Sequence, residues 1–298
     1  MTTTTTAPAL LPKYPFEPDP ASGHPSLRIH RNDNMTNYRK SDFLIPHRKD
    51  YYFMAFVKKG SSRHWIDMTP YDLQPDTFYF TVPHQVHLKE STQPLTGISL
   101  SFNNDFLASD SEGLLKSLPI IQNPHNGHAL SLQEENLTIV EDLLNKILTE
   151  YHARETWQQP VILSYVKVLL VHLSRLYRQQ FTEELPGSDR TLLKNYLAHI
   201  EDAYRNLHEV TDYAALMNIS AGHLSELIKQ QSGLPAIAHI HERLILEAKR
   251  LLFHTDYAIK EIAFHLGFED PSYFNRFFKR LTGDTPALFR EKFREMYH

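Results

Sequence analysis

Residues His223-Leu224-Ser225-Glu226-Leu227-Ile228-Lys229 and Tyr273-Phe274-Asn275-Arg276-Phe277-Phe278-Lys279 correspond in their apolar and basic positions at a constant offset of fifty, and the match runs on to Gly233 and Gly283. Each copy follows a short helical pattern carrying a small residue, Ala214 or Ala263, and a turn residue, Asn218 or Gly267. Two helices that cross steeply need a small side chain at the contact and a turn residue tolerant of positive φ. Gly267 meets the second need outright, and Asn218 meets it because asparagine visits the left-handed region more readily than most side chains. A single such hairpin could be purely structural. Two copies joined by a long helix over 235–253, rising about 1.5 Å per residue, can hold two recognition helices roughly one DNA turn apart. The chain therefore writes one helix-turn-helix motif twice.

Around this repeat the pattern is helical throughout: 189–206, 211–217, 221–231, 235–253, 259–266, 271–281 and 285–295, an all-α domain of about seven helices over 189–298. Pro186, Gly187 and Ser188 break the periodicity just before it, which places a linker at 182–188. Upstream, residues 43–100 are rich in aromatic and β-branched side chains. Turn signals fall at Lys59-Gly60-Ser61-Ser62, Thr69-Pro70, Gln74-Pro75-Asp76 and Val82-Pro83, the pattern of an all-β barrel or sandwich. Two amphipathic helices follow, 131–153 and 160–181, which cover the barrel, form a dimer interface, or do both. The expected domain thus spans 27–181. Residues 1–26 open with a threonine run followed by Pro8, Pro12, Pro15, Pro18 and Pro20, so a disordered tail is expected there.

Arg243 to Leu252, Ile262-Ala263, Leu266-Gly267-Phe268, Ser272-Tyr273-Phe274, Arg276-Phe277-Phe278-Lys279, and Gly283 with Pro286 resemble the DNA-binding signature of the AraC family. The resemblance spans about 189–294 and implies a bacterial activator or repressor in which each motif puts its second helix into the major groove. Residues 43–87, with Pro46-His47, Gly60 and Pro83-His84-Gln85-Val86-His87, resemble the cupin-like effector domain commonly attached to this family.

On the second recognition helix Phe274, Phe277 and Phe278 have the spacing of core residues. Pro271, Ser272, Asn275, Arg276 and Lys279 are left as DNA contacts. Arg276 suits guanine or a phosphate, and Asn275 suits adenine. On the first, Leu224, Leu227 and Ile228 form the core set, so Ala221, Gly222, Ser225, Glu226 and Lys229 face outward. Glu226 takes the place of Arg276: it repels phosphates but can accept a hydrogen bond from cytosine. The whole chain carries a formal charge of −4, against a general nucleic-acid binder. Between Pro271 and Arg294, by contrast, Arg276, Lys279, Arg280, Arg290, Lys292 and Arg294 face only Asp284 and Glu291, a local +4. The second motif is expected to supply most of the affinity and the first to tune selectivity.

In the expected barrel, His47, Arg48, Tyr51, Trp65 and His87 are candidates for contacting a small-molecule effector. A cupin metal site needs a His-x-His pair, a nearby glutamate and a later histidine. Here Lys49 stands where the second histidine belongs, and His84 and His87 are three apart on a strand, so they point to opposite faces. No metal or cofactor is therefore expected. The same pattern argues against a cupin-type enzyme, metal-dependent or metal-independent, that carries an accessory helical domain. A protein-interaction scaffold that has lost DNA binding is the remaining alternative, kept open by Glu226 and the negative charge. The chain has no cysteine, no apolar run of bilayer length and no basic-then-apolar start, so a soluble cytoplasmic protein is expected. Its expected partners are operator DNA, RNA polymerase, an effector and a second copy of itself.

Overall fold

The computed structural model of the 298-residue chain describes residues 11–20, 22–32, 45–89, 95–123, 127–153, 155–181 and 191–294. The chain divides into two compact units, residues 1–184 and 185–298. The expected linker at 182–188 lies outside the described residues.

The N-terminal unit contains β1 (Lys13–Tyr14), β2 (Leu27–Asn32), β3 (His47–Lys49), β4 (Tyr52–Lys59), β5 (Ser62–Ile66), β6 (Thr69–Leu73), β7 (Thr77–Thr81), β8 (Val86–Lys89), β9 (Thr96–Phe102) and β10 (Ala129–Ser131). They form two five-stranded sheets, ordered β1-β3-β8-β5-β6 and β10-β7-β4-β9-β2. Between and after these strands come α1 (Asn104–Ala108), α2 (Leu114–Ser117), α3 (Pro119–Gln122), α4 (Glu134–Ala153) and α5 (Gln158–Phe181). This is the sheet-rich N-terminal domain the sequence implied. Residues Asp76 and Gly60 take positive φ in turns, as their positions suggested. The Thr69-Pro70 turn signal fails, because Pro70 sits inside β6, opposite Trp65. The strand β6 ends its sheet, and an edge strand tolerates a residue that lacks an N–H.

The second sheet has two unlike faces. Met54, Phe56, Phe78, Phe80, Ile98, Leu100 and Phe102 point to one side, where they pack into a single core with Val140, Leu144 and Ile147 of α4 and Ile162, Val166, Leu169, Leu170 and Leu173 of α5. The two helices therefore cover the sheet, one of the two roles expected for them. Lys58 pairs with Glu141 across the same boundary. By length and composition α5 could cross a membrane, but its apolar stripe recurs every three to four residues and is consumed by this core. Helix α4 begins at Glu134 rather than 131, because 129–131 pair with β7 as an added strand.

The tail expectation needs correction within the described residues. Residues Lys13 and Tyr14 run parallel to Arg48 and Lys49, and the Pro12 carbonyl accepts the Arg48 N–H at 2.8 Å. Proline lacks a donor but keeps its acceptor, so it flanks a strand pair without breaking it. His24 is buried, stacked on Tyr151 with ring centroids 4.8 Å apart.

The C-terminal unit is all-α among its described residues: α6 (Thr191–Ala203), α7 (Val210–Leu216), α8 (Ala221–Ser232), α9 (Ala236–His254), α10 (Ile259–His265), α11 (Pro271–Thr282) and α12 (Pro286–Arg294). The order and number match the seven expected segments. The long helix α9 contacts α7 and α8 of the first motif and α10 and α11 of the second, so both motifs are built on one buried rod.

Candidate functional site

The two helix-turn-helix motifs repeat down to individual hydrogen bonds. In the α7–α8 hairpin the Ile219 N–H donates to the Ala214 carbonyl, and in the α10–α11 hairpin the Phe268 N–H donates to the Ala263 carbonyl, both at 3.0 Å. Ala214 and Ala263 are buried, as helices crossing closely require. Both expected turn residues are left-handed, Asn218 with φ 55° and Gly267 with φ 83°. Gly233 and Gly283 terminate α8 and α11 in the same conformation, each donating its N–H to a lysine carbonyl, Lys229 or Lys279, at 2.9 Å.

The motifs also differ. A Cβ on Gly267 would lie 1.9 Å from the Arg205 carbonyl oxygen, so that turn is closed against the segment after α6. His208 adds a bond from its Nε2 to the Leu266 carbonyl at 2.9 Å. Phe268 packs its ring against Phe274 and Phe277 at 5.2 and 5.1 Å, where the first motif has the aliphatic Ile219. The caps differ as well. Asp270 accepts from the N–H groups of Ser272 (2.8 Å) and Tyr273 (3.1 Å), whereas Ser220 accepts one, from His223 at 3.3 Å. Those two bonds, with Arg276 nearby, hold the Asp270 carboxyl below its ordinary pKa.

The expected contact residues differ in exposure. Gly222, Glu226 and Lys229 on α8 and Ser272, Arg276 and Lys279 on α11 are exposed, while Ala221, Ser225, Pro271 and Asn275 are half-buried. The Arg276 side chain is 70% exposed, 3.9 Å from the Asp270 carboxylate. Two of the polar candidates bond to their own helices: Ser225 donates to the Ala221 carbonyl at 2.7 Å, and Asn275 donates to the Pro271 carbonyl at 2.9 Å. Reading adenine with both amide atoms requires Asn275 to turn away from that bond. The sequence reading left out one pair, His223 and Tyr273, exposed at equivalent positions in the first turns of α8 and α11. The fifty-residue offset already marked them.

The basic count near α11 divides on inspection. Arg290 reaches back to the carbonyls of Leu252 (3.2 Å) and Tyr257 (2.6 Å), where it caps the end of α9. Lys292 pairs with Asp284 at 2.8 Å. Arg276, Lys279 and Arg280 remain outward. Arg243 is likewise structural: its guanidinium forks onto Glu201 at 2.6 and 2.9 Å, reaches Glu247 at 3.2 Å and lies 3.8 Å over the Tyr204 ring. Glu247 also meets Arg250 at 3.4 Å, and this buried cluster ties α6 to α9. The carboxylates push the Arg243 pKa further up, against the effect of burial.

In the N-terminal unit the strand register decides which effector candidates meet. Residue His47 stands opposite His87, and His87 opposite Ile66, so these side chains share one face, with rings of the two histidines 5.8 Å apart. Two residues beyond that rung the same face carries Lys49 on one side and the paired Lys89 and His64 on the other, with Tyr71 opposite His64. From the other sheet Tyr79 meets His64 edge-on at 5.4 Å. This is the interior between the sheets. Two candidates fall on the opposite face, correcting the expected set: Arg48, whose guanidinium donates to the His84 carbonyl at 2.8 Å, and Trp65, opposite Leu88. Tyr51 lies between β3 and β4, edge-on to Phe16 at 5.8 Å. Composition proposed aromatics and histidines, but only the partner strand reveals which face they take. Lys49, His64, Tyr71 and Lys89 were missed for that reason. His84 is exposed and His87 buried. Among the described residues no three metal-ligating side chains converge.

A family model described as an AraC-like ligand binding domain matches residues 36–200, and one described as a helix-turn-helix domain matches residues 213–292. The HTH-type transcriptional activator RhaS of Enterobacter sp. (strain 638) is 24% identical over 245 residues, covering 82% of this chain and 87% of that protein. RhaS of Escherichia coli O157:H7 is 23% identical over the same length, with the same coverage. Among solved structures, the DNA-binding domain of AdpA in complex with a target DNA has 26% sequence identity and a TM-score of 0.33, covering 37% of this chain and 96% of that one. ToxT from Vibrio cholerae has 13% identity and a TM-score of 0.38, covering 89% and 98%.

Proposed function

The chain belongs to the AraC family of DNA-binding transcription regulators, and from that premise we propose how its two helix-turn-helix motifs divide the reading of DNA. Helices α8 and α11 enter successive major-groove segments, held apart by α9. On α11, Arg276 reads a guanine, Lys279 and Arg280 grip phosphates, Ser272 and Tyr273 contact the backbone at the helix start, and Pro271 and Asn275 border the bases. On α8, Glu226 accepts from a cytosine, Lys229 meets a phosphate, and Ala221, Gly222, Ser225 and His223 line the approach. The observation that supports this division is the equivalence of the two outward faces with opposite charge at Glu226 and Arg276. A carboxylate in that place weakens attraction to the backbone and selects for an amino group.

Residues 27–181 act in this reading as the ligand-binding and dimerising domain and 189–298 as the DNA-binding domain. His47 and His87 face the bound effector, which changes how α8 and α11 meet the operator and RNA polymerase. The matched relatives are named transcriptional activators, and the barrel is read as a sensor with no catalytic task. A regulator of this kind works in the cytoplasm.

The test is selection of genomic fragments at physiological salt, followed by repetition with Arg276→Ala. An enriched sequence with two adjacent blocks, one of which loses a guanine preference in the variant, is the expected result. Fragments without enrichment, retained equally by both proteins, overturn the reading.

A further inference from the structure

The inner face between the two sheets of the N-terminal unit is polar where the outer face of the second sheet is apolar, and among the described strand residues its charge is of one sign. Register places Lys49, Lys89, His64 and His87 on it. The acidic side chain that the ten described strands carry is Asp72, which lies on the outside and pairs with Arg63 at 3.0 Å. The buried Asp67, in the turn after β5, is turned to the Val86 N–H at 3.0 Å. Four buried polar atoms on inward positions have no hydrogen-bond partner: Nε2 of His64, Nε2 of His87, Oγ of Ser62 and Oγ1 of Thr81. Buried polar atoms in folded proteins are nearly always satisfied, so these positions suit a ligand that brings hydrogen-bonding groups to them. The walls beside them are apolar and aromatic, with Phe53, Leu73 and Tyr79 packed in one cluster.

We propose that this interior holds a small organic acid, its carboxylate seated between Lys49, Lys89 and the imidazoles of His64 and His87, and its apolar body against Phe53 and Tyr79. The inference rests on the effector reading above and names its chemistry. A carboxylate supplies the negative charge that two neighbouring ammonium groups favour, and it accepts hydrogen bonds from imidazole N–H donors. A neutral polyol offers no charge, and inorganic phosphate brings no apolar body to the walls. Burial and the nearby Lys89 together pull the Lys49 pKa down to about 8, and burial with the same two lysines draws His64 down to about 3. At neutral pH Lys49 therefore keeps its charge beside a neutral His64.

Titration calorimetry of the full chain at pH 7 tests this with benzoate and hexanoate, their amides benzamide and hexanamide, glucose, and inorganic phosphate. Each acid is expected to bind about tenfold or more tightly than its amide, as a charge-assisted bond implies, and more tightly than phosphate. Lys49→Met should abolish that preference, and Lys89→Met should reduce it, giving a second variant if the first folds poorly. Amides or phosphate binding as well as the acids, or an unchanged preference in folded Lys49→Met, overturns the proposal. Binding of glucose or the amides without acid preference leaves the effector reading standing and removes only this one. Heat from none of the probes removes it too, while operator retention that responds to a small-molecule extract of cells tests the effector reading separately.

Discussion

The first and second helix-turn-helix motifs share a backbone and differ in how each turn and cap is built. In the second, Gly267 lets the Arg205 carbonyl approach, Phe268 joins an aromatic cluster and Asp270 caps two N–H groups. In the first, Asn218, Ile219 and Ser220 take the same places, without an aromatic ring at 219 and with one capped N–H, that of His223. The motif with the double cap and the closed turn is also the one with the outward arginine. A recognition helix that is preorganised loses less conformational freedom when it docks, so rigidity and positive charge reinforce one another there.

The difference can be broken at the turns first. Replacing Gly267 with Asn keeps a residue tolerant of positive φ but introduces a Cβ into the Arg205 carbonyl, and should cost about 2–4 kcal/mol in urea unfolding. The reverse exchange, Asn218→Gly, should stay within about 0.5 kcal/mol. Equal costs for the two would erase the distinction. Next comes DNA. In binding assays against every base substitution of the selected operator, Arg276→Ala should lose about 1–3 kcal/mol of discrimination at one guanine. Glu226→Ala should lose less, at one cytosine of the other block. A smaller effect is expected for Lys279→Ala, which should weaken all sequences alike and lower the salt slope by about one.

The caps give the subtlest test. Asp270→Ala should lower the melting temperature more than Ser220→Ala. The Asp270 pKa is depressed in the folded state, so its stabilisation is present above the ordinary carboxylate range and is lost as pH falls through the lowered value. Serine does not titrate, so acidification followed by amide exchange should loosen the start of α11 before that of α8.

Much of the C-terminal unit could be read from sequence because its determinants are local. The spacing of Phe274, Phe277 and Phe278 fixes one helix face, and the left-handed requirement at residues 218 and 267 is met by two residue types that allow it. Arg290 and Lys292 show where local reading stops. They looked like DNA charge, and the structure turns one onto the end of α9 and the other onto Asp284. Those partners lie on other elements that no spacing rule predicts. In the N-terminal unit the non-local part is larger. Trp65 and His64 are neighbours in sequence, yet they face opposite sides of the sheet. Lys49 was read only as a defect in a metal-ligand pattern, because its meaning depends on lying on the same face as Lys89 and His64.

Strand β7, Thr77-Phe78-Tyr79-Phe80-Thr81, is buried along its whole length. Phe78 and Phe80 belong to the core beneath α4 and α5, while Tyr79 looks the other way, toward His64. If the proposed acid site is occupied, side chains that face the ligand and side chains that hold the architecture alternate along one five-residue strand. On that proposal an exchange at Tyr79 would be felt in ligand choice as well as in its packing with Val57, Ile66 and Leu73, whereas Phe78 and Phe80 answer to the core beneath α4 and α5 alone.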